Sequence, residues 1–187
     1  MNDTRRKILD VAEELIQRVG LNAMSYKHIS DAVGIRKASI HHHFQKKEDL
    51  VNELLERCRE SYGMNYRKIV EGTGSAPEKL RALAGVFEDG LRKQQLCFVG
   101  TISSDLNTLQ DNSCRILETT IQGTVDIFLV PFEQGRKDGS LSFAGTDREA
   151  AYAFFSFLLG AQIATRAHGG KKSFRRATEA ILSGWIR

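Results

Sequence analysis

Residues 25–50 read Ser25-Tyr26-Lys27-His28-Ile29-Ser30-Asp31-Ala32-Val33-Gly34-Ile35-Arg36-Lys37-Ala38-Ser39-Ile40-His41-His42-His43-Phe44-Gln45-Lys46-Lys47-Glu48-Asp49-Leu50. Ile29, Ala32 and Val33 recur at helical spacing, Ser25 stands where an N-cap belongs, and Gly34 stops the helix after about two turns. A second short helix, Lys37 to His43, follows the turn Gly34-Ile35-Arg36 almost at once. Two short helices so joined make a helix-turn-helix, in which a glycine lets the chain reverse. Ala32, Val33, Ile35, Ile40 and Phe44 are expected to form the small core that sets the angle between the helices. Lys37, Ala38, Ser39, His41, His42 and His43 then face solvent or a groove. A helix of this size fits the major groove of B-DNA, and short side chains early in it permit close approach to base edges. Over 36–47, Arg36, Lys37, Lys46 and Lys47 accompany the three histidines, and no acid intervenes before Glu48. Taken as charge alone, such a cluster suits a phosphate-contacting surface and a solvated face equally well.

Outside this stretch the apolar spacing is helical nearly everywhere, so the chain reads as all-α. Ile8, Val11, Ala12, Leu15, Ile16 and Val19 form one stripe, with Thr4 as expected cap and Gly20 as stop. Together with the two short helices this gives an N-terminal three-helix domain over 1–47. The remainder, 48–187, reads as a second helical domain. Lys47-Glu48-Asp49 open a long helix, with acids in the first turn where the helix dipole favours them. Residues 72–76 read as a loop. Ser75 with Glu78, and Thr146 with Glu149, have capping-box spacing, and Pro77 falls in a first turn. Pro131 is expected to kink or end its helix. From Asp147 to about Arg166, Tyr152, Phe154, Phe155, Phe157, Leu158 and Leu159 cover nearly the whole circumference, which calls for burial on more than one side. Ser173 is expected to cap a last helix carrying Phe174, Ala177, Ile181, Leu182 and Trp185.

Composition excludes several classes. No apolar run approaches the roughly 20 residues that span a bilayer. The N-terminus, charged from Asp3 to Lys7, lacks the apolar core of a secretory signal. Cys58, Cys97 and Cys114 lack metal-ligand spacing, and an odd number without a signal suggests reduced thiols in a cytoplasm. Consecutive helical residues point about 100° apart, so His41, His42 and His43 cannot converge on one metal ion. No Ser-His-Asp set, phosphate loop, His-Glu-x-x-His or paired carboxylates are present, which argues against an enzyme and against a bound cofactor. The net charge of +4 permits a nucleic-acid partner without demanding one.

The run Gly34-Ile35-Arg36-Lys37-Ala38-Ser39-Ile40, followed by His42-His43-Phe44 and Lys47-Glu48-Asp49-Leu50, resembles the DNA-binding domain of the TetR/AcrR family of repressors. Ile8 to Ile16 with Val19-Gly20 resembles that family's first helix. The resemblance implies an all-helical dimer that binds an operator and releases it when an effector enters the C-terminal domain. By position, Ser25 would cap the second helix and contact phosphate. Lys37, Ala38 and Ser39 would meet bases and backbone. His42 and His43 would lie near the backbone, and Lys47 would contact phosphate. Lys27 and Arg36 complete the expected DNA-facing set. His41 departs from the tyrosine usual there; a histidine offers similar bonds but a pH-dependent charge. Cys97 to Leu106 also resembles a stretch in an electrophile-sensing branch of the family. The reactive cysteine of that branch is replaced here by Asp105.

Phe154, Phe157, Leu158, Ala161, Ile181 and Trp185 carry more apolar surface than one domain needs, and are expected at a homodimer interface built from the last two helices of each subunit. The alternative is burial within one chain. Phe87, Leu91, Cys97, Phe98, Ile102, Phe128, Phe132, Tyr152 and Phe155 are candidates to line an apolar effector cavity, and serve equally well as ordinary core. The function expected is a dimeric repressor, released from a palindromic DNA operator by a small apolar or electrophilic effector. The competing reading is a helical protein-interaction module without DNA binding.

Overall fold

The structure, a computed structural model, describes residues 3–187. Among these residues the chain is helical, with α1 (Asp3–Val19), α2 (Tyr26–Val33), α3 (Lys37–His43), α4 (Lys47–Glu71), α5 (Ala76–Arg92), α6 (Phe98–Ser104), a 3-10 turn (Leu106–Thr108), α7 (Asp111–Asp138), α8 (Asp147–Ala167) and α9 (Gly170–Ser183). The only extended pairing among them is one isolated bridge between Leu141 and Ile186.

Packing divides the chain into two compact units. The first contains the chain up to Arg59 with Phe98–Thr120; the second contains Glu60–Cys97 with Ile121–Arg187. In the first unit, Ile8, Leu9, Ala12 and Ile16 of α1 are buried with Ile29, Ile40, Phe44, Leu50 and Leu54. Ion pairs from Arg5 to Glu53 and from Arg57 to Asp10 tie α1 to α4. The Arg5 guanidinium also lies 4.6 Å from the centre of the Phe44 ring. Phe98 and Ile102, on α6, complete this core.

The second unit is centred on aromatic rings. Tyr66 stacks on Phe87 and meets Phe128 edge-on, and Phe155 meets both phenylalanines. Phe132 and Phe154 extend the cluster to Trp185. Such edge-to-face pairs add directionality to apolar burial.

Three local expectations need correction. Of the two outcomes expected at Pro131, a kink or a stop, the stop does not occur: α7 runs through it to Asp138. Proline removes one ladder bond, but Phe128 and Phe132 on either side are fully buried, and that burial offsets the loss. Ser173 does not cap α9. Gly169 and Gly170 take positive φ, 78° and 54°, and the helix starts at Gly170, placing Ser173 inside it. Thr4 lies within α1, whose first turn already contains Asp3, ion-paired to Arg6 and Lys7. Both capping boxes form as expected, at Ser75 with Glu78 and at Thr146 with Glu149. The short α6 and the 3-10 turn carry no periodicity that marks them in the sequence.

Candidate nucleic-acid interface

The helix-turn-helix forms residue by residue from local chemistry. Ser25 has extended backbone angles, and its Oγ accepts from the His28 N–H at 3.3 Å, capping α2. Gly34 ends α2 in the left-handed region, φ 76°, ψ 33°. The Ser30 carbonyl then accepts from both Gly34 and Ile35 N–H groups. Arg36 takes extended angles as the N-cap of α3, without a capping side chain.

The core beneath these helices differs from the expected one. Ile40 and Phe44 are buried as expected, but Val33 and Ile35 are half-buried and Ala32 is exposed. Tyr26 takes their place. Its hydroxyl donates to the Phe44 carbonyl at 3.0 Å, and its ring meets the edge of His41 at 4.9 Å. Burial, with help from the Asp49 charge, pushes the Tyr26 phenol up to about 12. A tyrosine whose OH finds a carbonyl fixes α2 against the end of α3 more specifically than an aliphatic contact does.

The outer face carries the expected residues. Lys27, Arg36, Lys37, Ala38, His41 and His42 are exposed, and Ser25, Ser39 and His43 are half-buried. Lys27 is paired with Asp31 at 2.8 Å, so its charge is partly spoken for. Lys47 does not project outward like the rest. Its half-buried ammonium donates to the carbonyls of Leu21 and Met24, at 2.6 and 2.9 Å. Burial holds its pKa below the usual lysine range, against a smaller opposing pull from Asp105.

The candidate effector residues are divided between the two units. Phe98 and Ile102 belong to the core of the first unit, whereas Phe87, Phe128, Phe132 and Phe155 belong to the ring cluster of the second. Leu91 and Cys97 are half-buried. Tyr152 is 57% exposed and instead borders an open groove of about 460 Å³ with Ile121 and Val125. Of the candidate interface residues, Phe154 and Leu158 are wholly buried within their own chain and present nothing to a partner. Ile181 is exposed, while Phe157, Ala161 and Trp185 are half-buried. The exposed face of α8 carries Tyr152 and Ile163 instead. None of the three cysteines is in a disulfide; Cys58 is buried and Cys97 and Cys114 are half-buried.

Two polar residues that sequence reasoning missed organise these units. Asp105 accepts from the Leu21 and Asn22 N–H groups and from the Asn22 side chain. Gln162, on α8, accepts from the Cys97 N–H and donates to the Phe87 carbonyl. Both act across large sequence separations; Gln162 belongs to no motif, and the Cys97–Leu106 motif marks Asp105 only as standing where a reactive cysteine is usual, not as a partner of the turn at Leu21.

An exposed, cation-bearing second helix over a buried hydrophobic footing, opening an all-helical chain, is the build of a helix-turn-helix regulator. The family model for "Bacterial regulatory proteins, tetR family" matches residues 8–54. The chain is 37% identical over 154 residues to the transcriptional repressor KstR2 of Rhodococcus jostii, covering 80% of this chain and 73% of that one. It is 35% identical over 83 residues to KstR2 of Mycobacterium tuberculosis, a match that spans only 42% of that relative's length. A crystal structure of a TetR-family transcriptional regulator from Agrobacterium tumefaciens superposes with a TM-score of 0.92 at 31% identity, over 98% of both chains. The chain belongs to the TetR family of bacterial regulatory proteins. Among the described residues no helix is long and apolar enough to cross a membrane.

Proposed function

We propose that this protein is a transcriptional repressor that binds a palindromic operator as a homodimer and leaves it when a small apolar or electrophilic molecule binds. The observation that carries this reading is α3, whose Lys37, Ala38, His41 and His42 are exposed above a buried Ile40. A helix so placed can enter a major groove, with Lys37 and Arg36 reaching phosphates and Ala38 and Ser39 close to base edges. Among the described residues neither Arg36 nor Lys37 is committed to an acid. Residues 1–47 would be the DNA-binding domain and 48–187 the domain that dimerises and senses, in the cytoplasm where the operator lies. Phe157 and Ala161 on α8, which share one side of that helix, with the exposed Ile181 on α9, would supply the apolar face for a second copy. Two copies matter because one helix-turn-helix buries too little surface for tight, specific binding. Phe87, Leu91, Cys97, Phe128, Phe132 and Phe155 would contact the effector, after rearrangement of the ring cluster that the four phenylalanines belong to.

Selection on randomised duplexes, followed by binding over a range of salt, tests the reading. Affinity should fall steeply with salt, and the selected sites should be palindromes. Lys37→Ala should weaken binding and lower the log–log salt slope by about one. Ile181→Asp should yield monomers on sedimentation and weaken operator binding. A folded protein that binds no duplex at low salt would leave the protein-interaction module as the surviving reading.

A further inference from the structure

We propose that Asp105 and Lys47 are positioning residues for DNA reading, a pair of opposite charges that clamp the turn between α1 and α2 and thereby set where α2 and α3 lie; the inference rests on the DNA-binding reading above. The turn from Gly20 to Ser25 has no regular ladder. Gly20 takes φ 92°, and one backbone bond, Met24 N–H to the Gly20 carbonyl at 3.3 Å, crosses it. Five of its other polar groups are met by side chains from elsewhere in the first unit. The Asp105 carboxylate takes donors: the Leu21 and Asn22 N–H groups at 3.0 and 3.3 Å, and the Asn22 side-chain amide at 2.8 Å. The Lys47 ammonium takes acceptors: the Leu21 and Met24 carbonyls at 2.6 and 2.9 Å. Leu21 is therefore gripped at both ends of its backbone, by an anion and by a cation.

Asp105 is itself fixed. Its N–H donates to Ile102 at the end of α6, and its carbonyl accepts from the Thr108 N–H and hydroxyl. The last residue of the turn, Ser25, is the N-cap of α2, so an error in the turn is inherited directly by the helix-turn-helix. Bonds to ionised groups are the stronger kind, roughly twice neutral ones. Position within a groove must hold to fractions of an ångström for base contacts to form, so a clamp remote from DNA can govern affinity. Leu21, Asn22, Lys47 and Thr108 also border an open cleft of about 310 Å³. Water can therefore replace a lost carboxylate, and variants at Asp105 should fold.

This assignment differs from a direct phosphate contact by Lys47, and salt dependence separates the two. A phosphate contact contributes about one unit to the log–log salt slope; a positioning residue contributes affinity without slope. The full-length protein is compared with Asp105→Asn, Asn22→Ala, Lys47→Met and, as the phosphate-contact control, Lys37→Ala. Each is titrated with a random-sequence duplex and with a selected operator, and amide exchange is followed at Leu21 and Asn22. Asp105→Asn should speed exchange at both amides while α8 amides keep their protection. It should also weaken operator binding by about tenfold or more at unchanged slope. Lys47→Met should weaken binding, again at unchanged slope, and Asn22→Ala should show a smaller loss of the same kind. Restoring the carboxylate as Asp105→Glu should recover part of the affinity. A drop of one unit in slope for Lys47→Met, or wild-type affinity and exchange in Asp105→Asn, overturns the clamp alone. A wild type that binds neither duplex overturns the DNA-binding reading, and this inference with it.

Discussion

Replacing Gly34 by alanine tests whether the reversal between α2 and α3 is set by backbone conformation or by space. Gly34 sits at φ 76°, ψ 33°, and a methyl group built on it meets no atom within 4 Å. Steric crowding from neighbours is therefore nil, and the whole cost is that of holding an L-residue in the left-handed region, about 1–2 kcal/mol. A stiffer unfolded chain returns about 0.4–1 kcal/mol at sites the new residue tolerates, which this one is not, so the net loss should stay near 1–2 kcal/mol. For a chain of this length each kcal/mol lowers the melting temperature by about 2–4 °C. Gly34→Ala should thus melt about 2–8 °C lower, followed by circular dichroism. Gly34→Asn is the discriminating variant. Asparagine tolerates the left-handed region better than alanine although it is larger. A conformational cost therefore ranks asparagine above alanine, whereas a packing cost ranks them the other way. Wild-type melting in Gly34→Ala, or a less stable Gly34→Asn, would refute the reasoning. Because the Ser30 carbonyl would still accept from residues 34 and 35, any loss of DNA affinity should track the loss of stability.

Tyr26 makes the first unit sensitive to alkali. Its folded value of about 12 lies above the ordinary 10, so its contribution is complete below pH 10 and is lost as pH rises through 12, to a total of about 3 kcal/mol. Urea titrations at pH 8, 10 and 11 should show the stability gap between wild type and Tyr26→Phe narrowing as pH rises; a gap independent of pH would contradict this. Gln162→Leu should cost about 1–3 kcal/mol by leaving the Cys97 N–H without its acceptor, read as a melting temperature lower by several degrees. An unchanged melt would mean that water or a shifted loop satisfies that group.

These residues also mark the boundary of what could be read from the chain. The helix-turn-helix was legible because each of its determinants is local: Ser25 caps within three residues, Gly34 reverses within one, and the α3 stripe repeats within a turn. The capping boxes at Ser75 and Thr146 are local in the same sense. Pro131 and Ser173 misled for a related reason. Each carries a genuine local preference, but burial of Phe128 and Phe132 outweighed the first, and the positive φ of Gly169 and Gly170 pre-empted the second. On α8 the all-round apolar pattern announced burial on more than one side without saying which. Phe154, Phe155 and Leu158 turn inward, while Tyr152 and Ile163 remain on the surface.

Tyr26, Lys47 and Asp105 show why the remainder stayed hidden. Each has a default reading from its type alone: a solvated lysine at a helix start, an acid in a polar turn, a tyrosine near a cap. What changes their roles is a partner that only the fold supplies, at separations of 18, 26 and 84 residues. Those partners are backbone groups, which every residue possesses, so no side-chain pattern flags them. The consequence for function is directional. Residues that touch DNA can be sought by type and exposure, and α3 displays them. Residues that hold α2 and α3 in place must be sought by asking which turn lacks its own hydrogen bonds, and the turn at Leu21 is where that question leads.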